Sequence, residues 1–341
     1  MRVDLDKLRK SGRISATALA HGRAMLEAGQ RIVAVQEAVE AKIREMGGEP
    51  AFPAQVSRNN VAAHYCSPPD DPTVIQPDDI VKLDCGSHVD GWITDNATTV
   101  DLRDGDDSLL CSASRMALEN AIALMGPGVS LSEIGRAVEA TITQLGFQPV
   151  RNLCGHGVSH YTIHCAPSVP NYHDPKATKL RAGQTIACEP FACDGKGYID
   201  AEGKSEVFML RKPVKPKDNL PKEVAQAMQE TERLPFARRD LVRALGDLQR
   251  AEDAIKLLLK KKLIEDFPPL VERAGEEPGF HRLSKGIFAD LAAWTAERNL
   301  GFIAGSLSPS LAATVISLDS FEKIFDLTLS ALPFLCLMPA Q

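Results

Sequence analysis

Two aspartates, a run of histidines and one glutamate carry the chemistry legible in this chain of 341 residues. Ile80-Val81-Lys82-Leu83-Asp84 and Trp92 to Val100 read as the arms of a β-hairpin turning near Asp90-Gly91. With those two residues as the turn, Asp95 faces Gly86 across the ribbon and Asp84 is its diagonal neighbour. Facing residues share a side of a sheet, as do alternate residues along a strand, so both carboxylates point the same way. A diagonal spacing of about 7–8 Å lets two short acids converge on one cation or an ion pair. Gly86 has no side chain and leaves room between them. Aspartate is disfavoured in strands, and unpaired carboxylates beside Ile80, Val81 and Leu83 would cost several kcal/mol of desolvation. Something cationic should neutralise them.

Six of the eight histidines lie between residues 64 and 173, and His156, His160 and His164 recur at intervals of four. Gly155 and Gly157 flank the first and argue for a strand or loop, and a strand would put all three on one face. A lone histidine is more often structural than ligating, so only the set points to a ligand role. Glu189 completes it, an acid inside the apolar strand expected from Gln184 to Phe191. Two Asp, one or more His and a Glu suit Mn²⁺, Fe²⁺, Co²⁺ or Zn²⁺. Several carboxylates at one locus favour two ions about 3.5–4 Å apart, because acids can bridge. Such a pair acidifies a shared water and polarises a carbonyl, which is hydrolase chemistry.

The remaining residues must build a frame for that set. A hydrophobic fraction of 44% against 25% charged supplies a sizeable core and excludes a disordered or collagen-like chain. A net charge of −6 offers no overall basic field for DNA. Charges throughout the first thirty residues leave no apolar run for a signal peptide. Eight cysteines without a CxxC pair read as free thiols of a reducing cytoplasm. Residues 299–318 are uncharged, but four serines, Asn299, Pro309 and two glycines make a poor membrane span.

Residues 4–46 read as two amphipathic helices, the second from Ile32 to Met46 and stopped by Gly47-Gly48. Residues 51–65 read as loop and short strand. Two further helices span 109–125 and 130–145, with Ser130 and Glu133 as a capping box. The segment 151–210 reads as strands and loops. Charged helices follow over Val224–Arg233 and Asp240–Lys262. The alternation predicts a mixed α/β (α+β) fold with a largely antiparallel sheet.

Several ordered motifs together resemble the methionine aminopeptidases. They are Ala51-Phe52-Pro53, Asn59-Asn60, Ala63-His64-Tyr65, Lys82-Leu83-Asp84-Cys85-Gly86, Thr94-Asp95-Asn96-Ala97, Gly155-His156, Ile163-His164 and Glu189-Pro190-Phe191 with Asp194-Gly195-Lys196-Gly197. The helical segment with Leu234-Pro235-Phe236 and Phe267-Pro268-Pro269 resembles the insertion that marks type 2, and the short N-terminus its archaeal-like form. The resemblance implies a pita-bread creatinase/aminopeptidase fold. Its expected parts are a catalytic domain over 1–210, a helical insertion over 211–275 and a divergent tail over 276–341. It implies two divalent metal ions, of Co, Mn, Fe or Zn. Asp84 matches the bidentate ligand of one metal, Asp95 a bridging carboxylate and His156 the imidazole ligand of the other metal. Glu189 matches a ligand that also acts as general base. His64 and His164 match the histidines that hold the substrate amide and the tetrahedral intermediate, with His64 and a metal steadying the oxyanion. Phe52, Ile163 and Phe191 match walls of a methionine pocket, with Phe267 at its rim. A thioether suits such a pocket.

The implied activity is removal of the N-terminal methionine from nascent proteins and peptides by a bridging hydroxide, with small second residues preferred. A cytoplasmic monomer acting on peptides or nascent chains is expected, with the ribosome as a further partner and neither DNA nor membrane. One element departs from the pattern. The family's fifth ligand, a bridging Glu in a stretch resembling Ala-Gln-Phe-Glu-His-Thr, has no counterpart. The family's spacing leads to Arg282, with Glu276 and Glu277 early and Glu297 late. A frame-shifted or replaced C-terminus after about residue 275 accounts for this. It predicts weakened metal binding and turnover, no closing strands and an exposed sheet edge. Two alternatives fit the same residues, a catalytically impaired pita-bread binding module and an Xaa-Pro-type peptidase.

Overall fold

Helix α1 (Leu5–Arg23) starts where the Asp4 carboxylate accepts the Lys7 amide, and it buries Leu8, Ile14, Ala18 and Leu19. Helix α2 (Ile32–Glu45) follows and buries Ile32, Val35, Val39 and Ile43 at helical spacing. The computed structural model describes residues 3–105, 108–273, 283–285 and 287–291. The segment 299–318 and most of the tail lie outside the described residues.

Strands β1 (Glu49–Arg58) and β2 (Val61–Ala63) replace the expected loop and short strand. Pro50 and Pro53 suggest a loop, but β1 forms the edge of its sheet and carries register shifts there. An edge strand tolerates residues that cannot donate a ladder hydrogen bond. Strands β3 (Ile80–Val89) and β4 (Trp92–Asp101) form the expected hairpin, with Gly86 opposite Asp95 and Asp84 opposite Ala97. Asp90 and Gly91 both take positive φ, 48° and 79°, as two-residue hairpin turns require. Val81, Leu83 and Cys85 pack against α1 and α2, while Asp84 and Gly86 face away from those helices. Ser11 and Ser15 of α1 bond Thr94 at 2.8 and 2.9 Å, fixing that helix to the hairpin.

Helices α3 (Leu109–Leu124) and α4 (Leu131–Gln144) form a second core with Ile80, Val169, Ile186 and Cys188. Ser130 caps α4 through the Ser132 amide, so the bond to Glu133 expected of a capping box is not the one made. Strands β5 (Gln148–Pro149), β6 (Cys154–Ser159) and β7 (Thr162–Pro170) come next. The single strand expected over 184–191 is two, β8 (Thr185–Cys188) and β9 (Phe191–Cys193), divided at Glu189-Pro190. Proline has no N–H to donate, and the chain passes there from one sheet to another.

Strands β10 (Ile199–Ala201) and β11 (Val207–Leu210) precede helix α5 (Lys222–Glu230), strand β12 (Phe236–Ala237), and helices α6 (Arg238–Leu245) and α7 (Leu248–Lys260). The expected helix over 240–262 is therefore broken, by Gly246 at φ 72° and by Asp247, which caps α7. Strand β13 (Ile264–Phe267) joins β11 and β12 in a three-stranded sheet over which α5–α7 pack, with Phe208, Met228, Leu241 and Leu258 buried. Strand β14 (Leu270–Glu272) lies between β10 and β2.

Strands β15 (Leu283–Lys285) and β16 (Ile287–Leu291) correct the expectation that no closing strands exist. β16 lies between β4 and β8 in a seven-stranded sheet of order β1-β3-β4-β16-β8-β6-β7, and β15 lies beside β9 in the sheet β15-β9-β5. The sheet edge expected to be exposed is not open at β4 or β8, because β16 pairs with both. All pairings among the described strands are antiparallel, as expected. The described cysteines are free thiols, and among the described residues no helix is long and apolar enough to cross a membrane.

Candidate metal centre

Residues of β1, β3, β4, β6 and β7, with Glu189 after β8 and Phe191 in β9, line a cleft of about 540 Å³. Phe52, His64, Asp84, Asp95, His156, Ile163, His164, Glu189, Phe191 and Phe267, all singled out in the sequence, line it. Their sources are scattered. Asp84 and Asp95 come from the hairpin, His156 from β6, Ile163 and His164 from β7, and Glu189 from the break between β8 and β9.

One oxygen of Glu189 lies 3.0 Å from His156 Nε2, which is 3.6 Å from Asp95 Oδ2. The ligand atoms of Asp95, His156 and Glu189 all lie within 4.8 Å of one another. His156 Nδ1 lies 3.2 Å from the Gly157 carbonyl, a contact that aims Nε2 at the acids. Asp84 Oδ1 and Asp95 Oδ1 are buried without a hydrogen-bond partner. Buried carboxylate oxygens are costly unless paired or bound to a cation. Asp95, His156 and Glu189 therefore fit a divalent metal ion by donor type, spacing and unsatisfied charge.

Asp84 is engaged differently. Its Oδ2 accepts a 2.7 Å hydrogen bond from Lys285 Nζ, which also lies 3.5 Å from the second oxygen of Glu189. The sequence requires a cation beside these acids, and for Asp84 that cation is a lysine which the sequence did not identify. Nothing in its setting, Leu283-Ser284-Lys285-Gly286, marks it. The room beside Gly86 is also taken. A Cβ there would lie 2.5 Å from the Phe52 ring, so the glycine admits the apolar wall.

Burial works against charge on every member of the cluster. It raises the Asp95 pKa well above the carboxylate range, reinforced by the charges of Asp84 and Glu189. It raises Asp84 too, opposed by Lys285. For Glu189 burial is outweighed by the Lys285 charge and the His156 hydrogen bond, leaving a value of about 2. Burial lowers His156, but its bond to Glu189 and the acids raise it to about 9. A cation seated on Nε2 would displace that proton.

Of the three histidines expected on one face, two meet. His156 and His164 lie on neighbouring strands with ring centroids 4.3 Å apart. His160 stands in the β6–β7 turn beside Tyr161 at φ 50°, and its Nε2 donates to the Asp90 carbonyl instead. The chain reverses at that turn, so one continuous strand was the wrong premise. His64 takes the left-handed conformation at φ 67°, uncommon without glycine, held by its amide donating to Gln55 Oε1 at 2.8 Å. Its Nδ1 lies 3.3 Å from the Pro268 carbonyl and its ring meets Phe267 edge-on. Burial lowers His64 to about 4, and burial followed by the His156 charge lowers His164 to about 4. Gln55, which sequence reasoning passed over, positions His64 from β1.

The sequence model of metallopeptidase family M24 matches residues 6–211. A methionine aminopeptidase of Archaeoglobus fulgidus is 38% identical over 271 residues, covering 79% of this chain and 90% of the relative. One of Methanothermobacter thermautotrophicus is 38% identical over 269 residues, covering 78% and 90%. Among solved structures, the methionine aminopeptidase of Thermotoga maritima aligns at TM-score 0.55 and 28% identity, over 59% of this chain and 86% of that one. A thermophilic Arx1 aligns at TM-score 0.71 over 89% and 91%, and at 15% identity it speaks for the fold alone. The pita-bread expectation agrees with these folds.

Proposed function

The chain belongs to metallopeptidase family M24, and from that premise we propose that it is a metal-dependent methionine aminopeptidase. The observation that carries the reading is the convergence of Asp95, His156 and Glu189 with His164, His64 and an apolar wall in one cleft. The cofactor is a divalent cation, with Co, Mn, Fe or Zn suited to the donors. Asp95, His156 and Glu189 would hold it. The second ion of the family's pair would need Asp84, which Lys285 engages. When bound, the cation supplies an acidified water and polarises the scissile carbonyl.

The chain's own groups do the rest. The apolar walls of Phe52, Ile163 and Phe191, with Phe267 at the mouth, take the methionine side chain and exclude water. Glu189 is the carboxylate that the resemblance makes the acceptor of the attacking water's proton. A neutral His64 donates Nδ1–H to Pro268 and so presents Nε2 as an acceptor, suited to the substrate amide N–H. The donor to the developing oxyanion, a role the resemblance gives to His64, then passes to His164, across from His156. Peptides and nascent chains with N-terminal methionine are the proposed substrates, with the ribosome as the place of encounter and a cytoplasmic monomer as the working form. The division into 1–210, 211–275 and 276–341 belongs to the same proposal.

A panel of Met-Ala-, Met-Val- and Xaa-Pro-peptides with Mn²⁺ or Co²⁺ tests the reading. Cleavage of Met-Ala- above Met-Val-peptides, without Xaa-Pro turnover, is expected. Xaa-Pro cleavage alone would overturn the methionine assignment. Tight binding of Met-peptides without cleavage would favour a binding module, the reading that an ammonium inside the centre supports.

A further inference from the structure

We infer that Lys285 is a tethered cation in place of one of two metal ions, so that this centre takes a single divalent ion at Asp95, His156 and Glu189. The inference rests on the metallopeptidase reading and deepens it. Lys285 Nζ is buried between Asp84 Oδ2 at 2.7 Å and Glu189 Oε2 at 3.5 Å, and lies 5.0 Å from the centre of the Phe191 ring. Glu189 thus spans two cations' worth of positions, one oxygen toward His156 and the other toward the ammonium.

The lysine is held at both ends. Thr99 Oγ1 accepts the Lys285 amide at 3.1 Å and donates to its carbonyl at 2.8 Å, and β15 pairs Lys285 with Phe191. Its ammonium is therefore part of the frame, set by two strands. A dication on Asp84 would have to share that carboxylate with a fixed positive charge in a buried site, where like charges repel strongly. Charge counting agrees. Asp84, Asp95 and Glu189 ionised carry three negative charges and Lys285 returns one, leaving the two that one divalent ion neutralises. The Asp84 Oδ1 and Asp95 Oδ1 atoms, both without partners, remain for water or for that ion.

Mn²⁺ titration of the full chain by calorimetry, with metal content by mass spectrometry and the paramagnetic resonance spectrum of the bound ion, tests this. The wild type is expected to saturate at one equivalent with the spectrum of an isolated ion. Lys285→Glu, which adds a carboxylate, should saturate at two equivalents with a spin-coupled spectrum. Lys285→Met removes the charge without adding a ligand and should gain a second, weaker equivalent, which keeps the test open where Lys285→Glu fails to fold. Two equivalents in the wild type, unchanged in Lys285→Met, would overturn the inference and leave the proposed function standing. One equivalent in all three forms would also overturn it. No bound ion in the wild type would overturn the metal reading itself.

Discussion

His156 and His164 meet edge to face across the β6–β7 pair, ring planes at 88°, yet only His156 reaches the acids. The two imidazoles should therefore fail in different ways. His156→Ala is expected to weaken metal binding by at least about 100-fold, since even partners behind a ligand cost 10–100-fold. His164→Ala should keep the metal and lower kcat about 10²–10³-fold, as loss of a transition-state donor does. Metal content measured beside Met-peptide turnover checks both. Equal metal loss in the two variants would refute the assignment.

Phe267 lies at the cleft mouth, partly exposed, with its ring against His64. Its strand pairing with Val207 runs through the backbone, so truncation spares the ladder. Phe267→Ala should raise KM for Met-peptides about tenfold with a smaller change in kcat, within the usual value of one apolar pocket contact. A thermal melt shows whether the fold is intact. An unchanged KM would remove Phe267 from the pocket.

Arg239 of α6 reaches α2, where Glu40 accepts its guanidinium and Cys66 lies beside it. Both charges are buried, and Glu40 also accepts the Ala54 amide. Arg239→Met leaves Glu40 buried without its countercharge, and should cost about 3–5 kcal/mol. Adding Glu40→Met should recover most of it, because burying neither charge avoids the desolvation. Urea unfolding of the three forms decides the matter.

Asp71 shapes the turn-rich loop before β3. Its carboxylate accepts the Thr73 hydroxyl at 2.6 Å, the Thr73 amide at 2.9 Å and the Tyr65 hydroxyl at 3.1 Å. Burial raises its pKa, but these hydrogen bonds outweigh burial and leave it below the ordinary value. A depressed carboxylate contributes stability that is present above the unfolded value of about 4 and is lost as pH falls through the folded value. Asp71→Asn should thus cost about 1–3 kcal/mol at neutral pH. That gap should shrink as pH falls through the folded value, as urea unfolding from pH 7 down to pH 2 would read. A gap that is the same at every pH would assign the loss to shape instead of charge.

The hairpin was legible because a two-residue turn and strict alternation leave one register, and so Asp84 and Asp95 fell on the same face. The site's apolar walls were legible only through resemblance, since Phe52 and Phe191 look like ordinary core residues. His160 misled because even spacing says nothing about where a chain reverses. Lys285 was beyond reach for a different reason. Its partner Asp84 is 201 positions away, and a lone lysine near a glycine carries no pattern that encodes such a distant contact.

Glu189 and Lys285 occupy matching steps, each where the chain leaves one sheet for the other, between β8 and β9 and between β15 and β16. Pro190 has no N–H to donate at the first of these steps. The carboxylate and the ammonium are thus spaced by how two separate sheets sit against each other, much as the gap of a pair of tongs is set at the rivet. Warming that loosens this joint would part the two charges while both sheets were still intact.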